Sequence, residues 1–444
     1  MTRTDLGSYD VVVVGSGAAG SAAAIASARS GASTMLVEKL PFLGGNSTAV
    51  LDTFYGFFTP GSTPLKVVGG VGDDVIRGLE HLGSVIYRPN TYGAGTGVTY
   101  SAEYLKVVWE DLVSTSGCDV LLHAFVQDAT VSNGRITGLV IATKAGLAAL
   151  DARVVIDASG DADVCYHAGF GYELAGSISP AQTLTTTFRM LNVDNDRRGT
   201  ITKDELHVLM AEASSSGGYN LPRKEGSDHP TPVPNTTATV MTRIDQIDLL
   251  DGAVVNATDP WLLTKAEIEG RRQALEYVRF LVDRVPGYEH ASLAALSTQI
   301  GMRETRRVFG DYRVTRDDVL SAAQFDDQVA LCGAPIEDHH GAEGTGTTWE
   351  YLPDGAAVGI PYRSLVVRDS VNTFVAGRCF SATHDAQASI RSMAQCMAMG
   401  QAVGSAAAMA ARGNGESRSV DVTALRDHLR STGAVLSVDE AVAQ

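Results

Sequence analysis

The chain has 444 residues, 44% hydrophobic and 19% charged, with 46 glycines and a formal net charge of −16. That composition excludes a disordered chain, and the acidic balance argues against nucleic acid or an anionic membrane as partner. The length leaves room for about two to three domains. Cys118, Cys165, Cys332, Cys379 and Cys396 are scattered with no CxxC pair, which predicts inert buried thiols in a reducing compartment. The opening MTRTDLGSYD has no basic segment followed by an apolar one, so the expectation is a soluble, cytoplasmic protein.

The first readable unit is DVVVVGSGAAGSAAAIASARSGASTMLVE, residues 10–38. Val11 to Val14 form a β-branched run suited to a strand buried on both faces of a parallel sheet. Gly15, Gly17 and Gly20 follow in GxGxxG spacing and open an Ala-rich helix. Gly15 permits a tight turn, Gly17 lets a pyrophosphate approach the backbone, and Gly20 lets helix pack closely on sheet. Ser16, Ala18 and Ala19 belong to the same loop and helix start, whose free N–H groups favour phosphate. A second strand, Thr34 to Val37, ends at Glu38, where a carboxylate is expected to bind a ribose hydroxyl. Strand, glycines, helix, second strand and acid agree on a dinucleotide site over a Gly-rich βαβ unit that binds nothing.

The next segment, KLPFLGGNSTAV, sets Gly44 and Gly45 after Lys39 and before Asn46, Ser47 and Thr48. It offers backbone and hydroxyl donors for a pyrophosphate and ribityl chain, a second cradle that an NAD domain does not need. No second strand–GxGxxG–helix unit and no redox cysteine pair follow, which argues against a pyridine-nucleotide reductase and favours FAD. Tyr55, Phe57 and Phe58 then either wall the flavin ring or fill core.

RVVIDASGD, residues 153–161, reads as a further strand with Ser159, Gly160 and Asp161 at its carboxyl end. Asp161 either binds a cofactor hydroxyl or caps the next helix. From 177 the texture changes. SPAQTLTTTFRMLNV alternates Thr and apolar residues like a half-exposed strand. Helices are expected over 203–214 and 263–284, with a Pro/Ser/Asn-rich connection over 217–240. The block 177–335 is thus read as an inserted α+β substrate domain with an antiparallel sheet. It divides a cofactor domain into 1–176 and 336–415, and 416–444 remains as a helical tail. Asp194 to Glu205 imitate a calcium loop, but Arg198 occupies a ligand position, so no metal is expected. In GMRETRRVFGDYRVTR, residues 301–316, Arg303 and Arg307 fall on one face of an expected helix. That helix is either solvated and salt-bridged or turns one or two arginines into the cleft to hold an anionic or carbonyl-bearing substrate.

Toward the C-terminus, Thr373 to Ala376 form a strand ending in Gly377 and Arg378. SATHDAQASIRSMAQCMAMGQ follows, polar at first and then rich in small residues. Met393 to Ala411, broken by Gln395, Gln401 and two glycines, suits a helix buried in protein better than a membrane span. The blocks YDVVVVGSGAAG, FLGGNST, VVIDASGDADV, RETRRVFGDYRVT, IPYRSLVVRDSVNTFVAGRCFSATHDA and MAQCMAMGQAVGSAA together resemble the FAD-dependent oxidoreductase family related to the fumarate reductase and succinate dehydrogenase flavoproteins. The resemblance runs in order over nearly the whole chain. It implies an α/β protein with a Rossmann-like FAD-binding domain around a parallel sheet. FAD would extend over Gly15, Ser16, Gly17 and Glu38, then Lys39, Gly44, Gly45, Asn46 and Ser47. Val126 would offer backbone to the adenine, Gly377 and Arg378 would approach the ribityl, and Ser392 to Cys396 the pyrimidine ring. Asn46-Ser47-Thr48 stand where covalently flavinylated relatives carry histidine, which implies non-covalent FAD. The helix-borne arginine motif of true fumarate reductases is not recognisable.

The expected chemistry is hydride transfer between a small organic substrate and flavin N5, by a dehydrogenase or an oxidase, with oxygen or another carrier as electron acceptor. His384 is the first candidate acid/base, because imidazole titrates near neutral pH and the chain places it beside a cofactor-binding strand. Asp385 would fix its tautomer; a histidine satisfying a carbonyl in a buried turn is the competing reading. Arg391 binds the flavin C2 carbonyl or a substrate carboxylate, or pairs with Asp385. His339, His340 and Arg303 are further cleft candidates. A flavin-dependent monooxygenase, suggested by Gly160-Asp161, and a non-redox FAD-binding protein are the alternatives, and an oligomer is compatible with all three.

Overall fold

The computed structural model describes residues 4–61, 64–89, 93–250, 253–339 and 346–443. A seven-stranded sheet forms its centre, in the order Asp119–Leu121, Thr34–Val37, Thr4–Val14, Gly146–Asp157, Arg135–Thr143, Phe125–Ser132. The seventh strand, Thr373–Val375, pairs with the far half of Gly146–Asp157, whose near half pairs with Arg135–Thr143. The pairings that surround Thr4–Val14, Thr34–Val37 and Thr373–Val375 are parallel, whereas 125–157 is an antiparallel meander. Val11 to Val14 sit opposite both Thr34–Val37 and Val154–Asp157 and are buried. A continuous apolar, β-branched run suits a strand covered on both faces.

Two helices of small residues, Ala18–Arg29 and Met393–Arg412, pack against one another beside this sheet. Gly400 and Gly404 face Ala19 and Ala23 so closely that a Cβ on either glycine would overlap the opposing backbone. Their apolar face is buried in protein, and among the described residues no helix is long and apolar enough to cross a membrane. The five cysteines are buried and unpaired.

Between 177 and 335 the chain builds a second, antiparallel sheet ordered Ser227–Pro230, Thr236–Val240, Phe188–Leu191, Ser292–Leu296. Helices Lys203–Ser215 and Pro260–Arg284 close a separate core around Phe188, Met210, Tyr277 and Phe280. Thr202 and Glu205 cap the first helix reciprocally, and Asp259 with Pro260 opens the second.

Two local expectations need correction. The stretch 217–240 is more than a connection, because its β-branched Thr236–Val240 run is buried and central in this sheet. Residues 301–316 contain no helix before Arg316. Arg306–Val308 is a buried strand paired with Tyr172–Leu174, which allows Arg307 to bridge Glu173 and Glu304 internally. Arg303 and Arg307 therefore share no helical face. Asp194 caps a short turn, Asn195–Arg198, and Arg198 binds Asp228 at 2.6 Å. The tail forms a helix, Val422–Ser431, and an edge strand, Val442–Ala443, that returns to Leu65–Lys66.

Candidate active site

Four strand ends, after Val14, Val37, Asp157 and Val375, open onto one cavity, as ligand sites of parallel sheets do. Its wall holds Gly15, Gly17, Ala18, Ala19, Glu38, Lys39, Gly44, Gly45, Asn46, Ser47, Val126, Ser159, Gly160, Asp161, Gly377, Arg378 and Cys396. Sequence-predicted residues from six separate segments thus meet on one surface. Three others do not reach it. Ser16 is fully buried and donates both its N–H and its hydroxyl to Glu38 at 2.7 Å. The Thr48 hydroxyl donates to the Leu43 carbonyl at 2.7 Å, and Ser392 faces a second cavity.

The local backbone suits a phosphate-bearing ligand. Gly15 has φ +89°, and a Cβ there would lie 2.5 Å from the Ala158 carbonyl oxygen. A Cβ on Gly17 would meet no protein atom within 4 Å and would project into the cavity space. Helices Ala18–Arg29 and Met393–Arg412 both begin without a side-chain cap, which leaves first-turn N–H groups and the positive dipole end for an anion. Arg378 donates to the carbonyls of Gly160 and Met302 at 2.9 and 3.1 Å and pairs with Asp161, which also accepts from Thr305. Burial alone would raise the Asp161 carboxyl; Arg378 and then Lys39 hold it below the usual range. Asp161 is no helix cap, since that position belongs to Ala162. Burial pushes the Cys396 thiol up to about 12, so it stands neutral.

A second cavity of about 470 Å³ adjoins the first. Leu51, Val240, Arg303, Arg391 and Met393 line both. The inner chamber is walled by Asp52, Tyr55, Arg88, Arg223, His229, Glu337, His339 and Trp349, whereas Phe57 and Phe58 are core. Two histidines are held by carboxylates. His229 Nε2 lies 3.0 Å from Asp52 Oδ1. His339 Nε2 lies 3.0 Å from Glu337, and its Nδ1 accepts from Thr347 at 3.0 Å. Burial, and next the charge of Arg303, pushes His339 well below the ordinary histidine range, so it is a neutral, fully bonded imidazole. Burial would raise the Asp52 carboxyl, but His229, Arg189 and Arg88 bring it below its usual value.

Arg303 and Arg391 stand at the seam. Arg303 donates to the Thr183 carbonyl at 2.8 Å and the Thr185 hydroxyl at 2.7 Å. Arg391 donates to the Gln182 side-chain oxygen at 2.9 Å and the Glu337 carbonyl at 3.1 Å, not to Asp385.

His384 does not meet these surfaces. It is 5% exposed and lines neither cavity. The short helix His384–Ile390 turns its ring inward, with Nδ1 2.9 Å from Glu304 and Nε2 3.2 Å from Asp338. Asp385 is near but is not its hydrogen-bond partner. His340 lies outside the described residues. The sequence reading missed Asp52, Arg88, Arg223, His229 and Glu337. Three of these sit in strands or loops with no motif, and Arg223 and His229 fall inside the supposed connection.

A sequence model described as FAD dependent oxidoreductase matches residues 10–429. The chain is similar to NADH:fumarate oxidoreductase of Klebsiella pneumoniae, 65% identical over 40 residues that cover 9% of this chain and 4% of that one. It is also similar to digeranylgeranylglycerophospholipid reductase 2 of Methanopyrus kandleri, 26% identical over 239 residues, 49% of this chain and 52% of the other. The matched segments thus span about half or less of these curated relatives. Among solved structures, a geranylgeranyl bacteriochlorophyll reductase-like protein of Thermoplasma acidophilum aligns at TM-score 0.46 and 13% identity, over 97% of this chain and 89% of that one.

Proposed function

Since the chain belongs to the FAD dependent oxidoreductase family and FAD is its cofactor, we propose that it holds FAD non-covalently and exchanges a hydride between flavin and a small organic molecule in the inner chamber. One observation carries this reading: the cavity walled by the dinucleotide cradle shares Leu51, Val240, Arg303, Arg391 and Met393 with a chamber rich in acid/base groups. When bound, FAD supplies a hydride donor and acceptor at N5.

The chain's own residues would supply the rest. Gly15, Gly17, Gly44 and Gly45 offer backbone to the phosphates. The uncapped start of Met393–Arg412, next to the seam, favours negative charge on the ring. His229 is the candidate acid/base. Its Nε2–H donates to Asp52, which fixes the tautomer and leaves Nδ1 without a bond among the described residues, in the wall of the chamber. His339, neutral and bonded at both nitrogens, would position Glu337. His384, enclosed by Glu304 and Asp338, fits an internal brace better than a proton carrier.

The test is an anaerobic screen. Purified protein loaded with FAD should be yellow, release the flavin on acid precipitation, and bleach with some member of a panel of alcohols, amines and saturated acids. Protein that stays colourless after FAD is added would sink the proposal. Oxygen consumption that depends on NADPH, with a hydroxylated product, would replace it with a monooxygenase.

A further inference from the structure

We infer that the substrate is an organic acid with an apolar body, and that its carboxylate docks between Arg303 and Arg391 where the two cavities meet. The inference rests on the redox reading above and names the substrate class for that same site.

The neighbouring arginines show what is unusual about these two. Arg223 and Arg243 share Glu225, Arg198 has Asp228, Arg378 has Asp161, and Arg307 has Glu173 and Glu304. Arg303 and Arg391 have no carboxylate within ion-pair distance among the described residues. Their hydrogen-bond partners among the described residues are a hydroxyl, two carbonyls and a side-chain amide, all neutral. Arg391 Nε is buried with no hydrogen-bond partner among the described residues. The charge of Glu337 acts on both arginines and that of Asp338 on Arg391, but neither carboxylate comes within ion-pair distance, and Glu337 is bonded to His339 instead.

A guanidinium taken out of water needs an anion or a full set of acceptors, because desolvation otherwise goes uncompensated. Two such groups on one seam, each adding to the other's charge, make the need larger. A flavin carbonyl would accept from one N–H, yet in the oxidised ring it brings no negative charge. A carboxylate brings both charge and two acceptor oxygens, the geometry that guanidinium groups match. The remainder of the chamber selects the body of that acid. About 470 Å³ is ample for a ring-sized group. Tyr55, Trp349, Pro335, Leu51 and Met393 offer it aromatic and aliphatic contact.

The experiment titrates the flavin-loaded protein with benzoate, phenylacetate and 3-phenylpropionate, each beside its own amide. Binding is read by calorimetry and by the change in flavin absorbance. At least one acid should bind roughly tenfold or more tightly than its amide, since the amide lacks the charge that strengthens hydrogen bonds to arginine. Arg303→Gln and Arg391→Gln should each remove most of that preference while amide binding changes less than about twofold, and Arg303→Lys should keep part of it. Where a variant loses its flavin, the acid–amide comparison on the unaltered protein decides. No acid preferred over its amide, or a preference untouched in both Gln variants, overturns the inference. Flavin that a neutral alcohol or amine bleaches, with no acid bound, overturns the inference and leaves the redox reading standing. Flavin that no compound reduces overturns the redox reading, whatever the acids do.

Discussion

The two cavities that meet at Arg303 and Arg391 are made of different material. The outer one is walled by backbone: glycines, helix starts and strand ends from the first fifty residues and from 158–161 and 376–378. The inner one is walled by side chains, Asp52, Arg88, Arg223, His229, Glu337 and His339, that four distant segments contribute. A backbone site depends on close packing and has few ways to vary. A side-chain site stands on a scaffold that tolerates its replacement, so chemistry can change there without loss of the fold.

The sharpest way to break this contrast is at the packing that supports the cradle. Gly400→Val would drive a branched side chain into the backbone of Ala19. Overpacking between two buried helices costs about 3 kcal/mol or more when neither can shift, so soluble yield and melting temperature should collapse and both cavities should go with them. A variant that melts like the parent would show that the helix pair is looser than the geometry requires.

The inner chamber should respond the opposite way. His229→Gln is expected to leave folding and FAD content intact while slowing substrate-driven flavin bleaching about a hundredfold or more, the usual scale for loss of a positioned acid/base. An unchanged rate, measured by anaerobic stopped flow, removes His229 from the reaction. Between these lies Gly17→Val. A Cβ there meets no protein atom within 4 Å, so the apoprotein should melt close to the parent. FAD would then bind roughly tenfold to a hundredfold more weakly because the branch occupies ligand space. A fluorescence titration of FAD against apoprotein would check it.

The same contrast explains what could be read from the chain. The GxGxxG unit, the Gly44-Gly45 loop and the strand ends at Ser159 and Gly377 are local in sequence, because a turn or helix start is fixed by adjacent residues. All of them reached the outer cavity except those whose polar atoms turned inward, Ser16 and Thr48. The inner chamber was largely illegible. Asp52 and His229 are 177 positions apart, and they meet only because the second sheet, which carries His229, packs beside the loop before Thr53–Phe54, which carries Asp52. His384 misled for a related reason: its neighbours in sequence are polar, but Glu304 and Asp338, from elsewhere in the chain, claim its ring. Periodicity also placed Arg303 and Arg307 on a helix, whereas burial of Arg307 between two glutamates favours a strand there.

The smallest effect probes the charge on the cradle side. Asp163 lines the outer cavity 3.2 Å from Arg306, and burial, then the charges of Asp161 and Asp157, push its carboxyl up to about 6. In an unfolded chain an aspartate titrates near 3.9. The folded state therefore holds this proton more tightly, so the ionised group weakens the fold above about pH 6 and stops doing so as pH falls toward 4. Asp163→Asn removes the penalty and also the contact with Arg306. The net gain at pH 7.5 should be about 1 kcal/mol, seen as a higher urea midpoint, and it should shrink as the pH is lowered through 6 toward 4. An advantage that grows on acidification would mean that the pair with Arg306 outweighs burial and the two neighbouring aspartates. The cradle wall would then be held by paired charge, as the region behind the inner chamber is, and the contrast between a backbone site and a side-chain site would lose its electrostatic half.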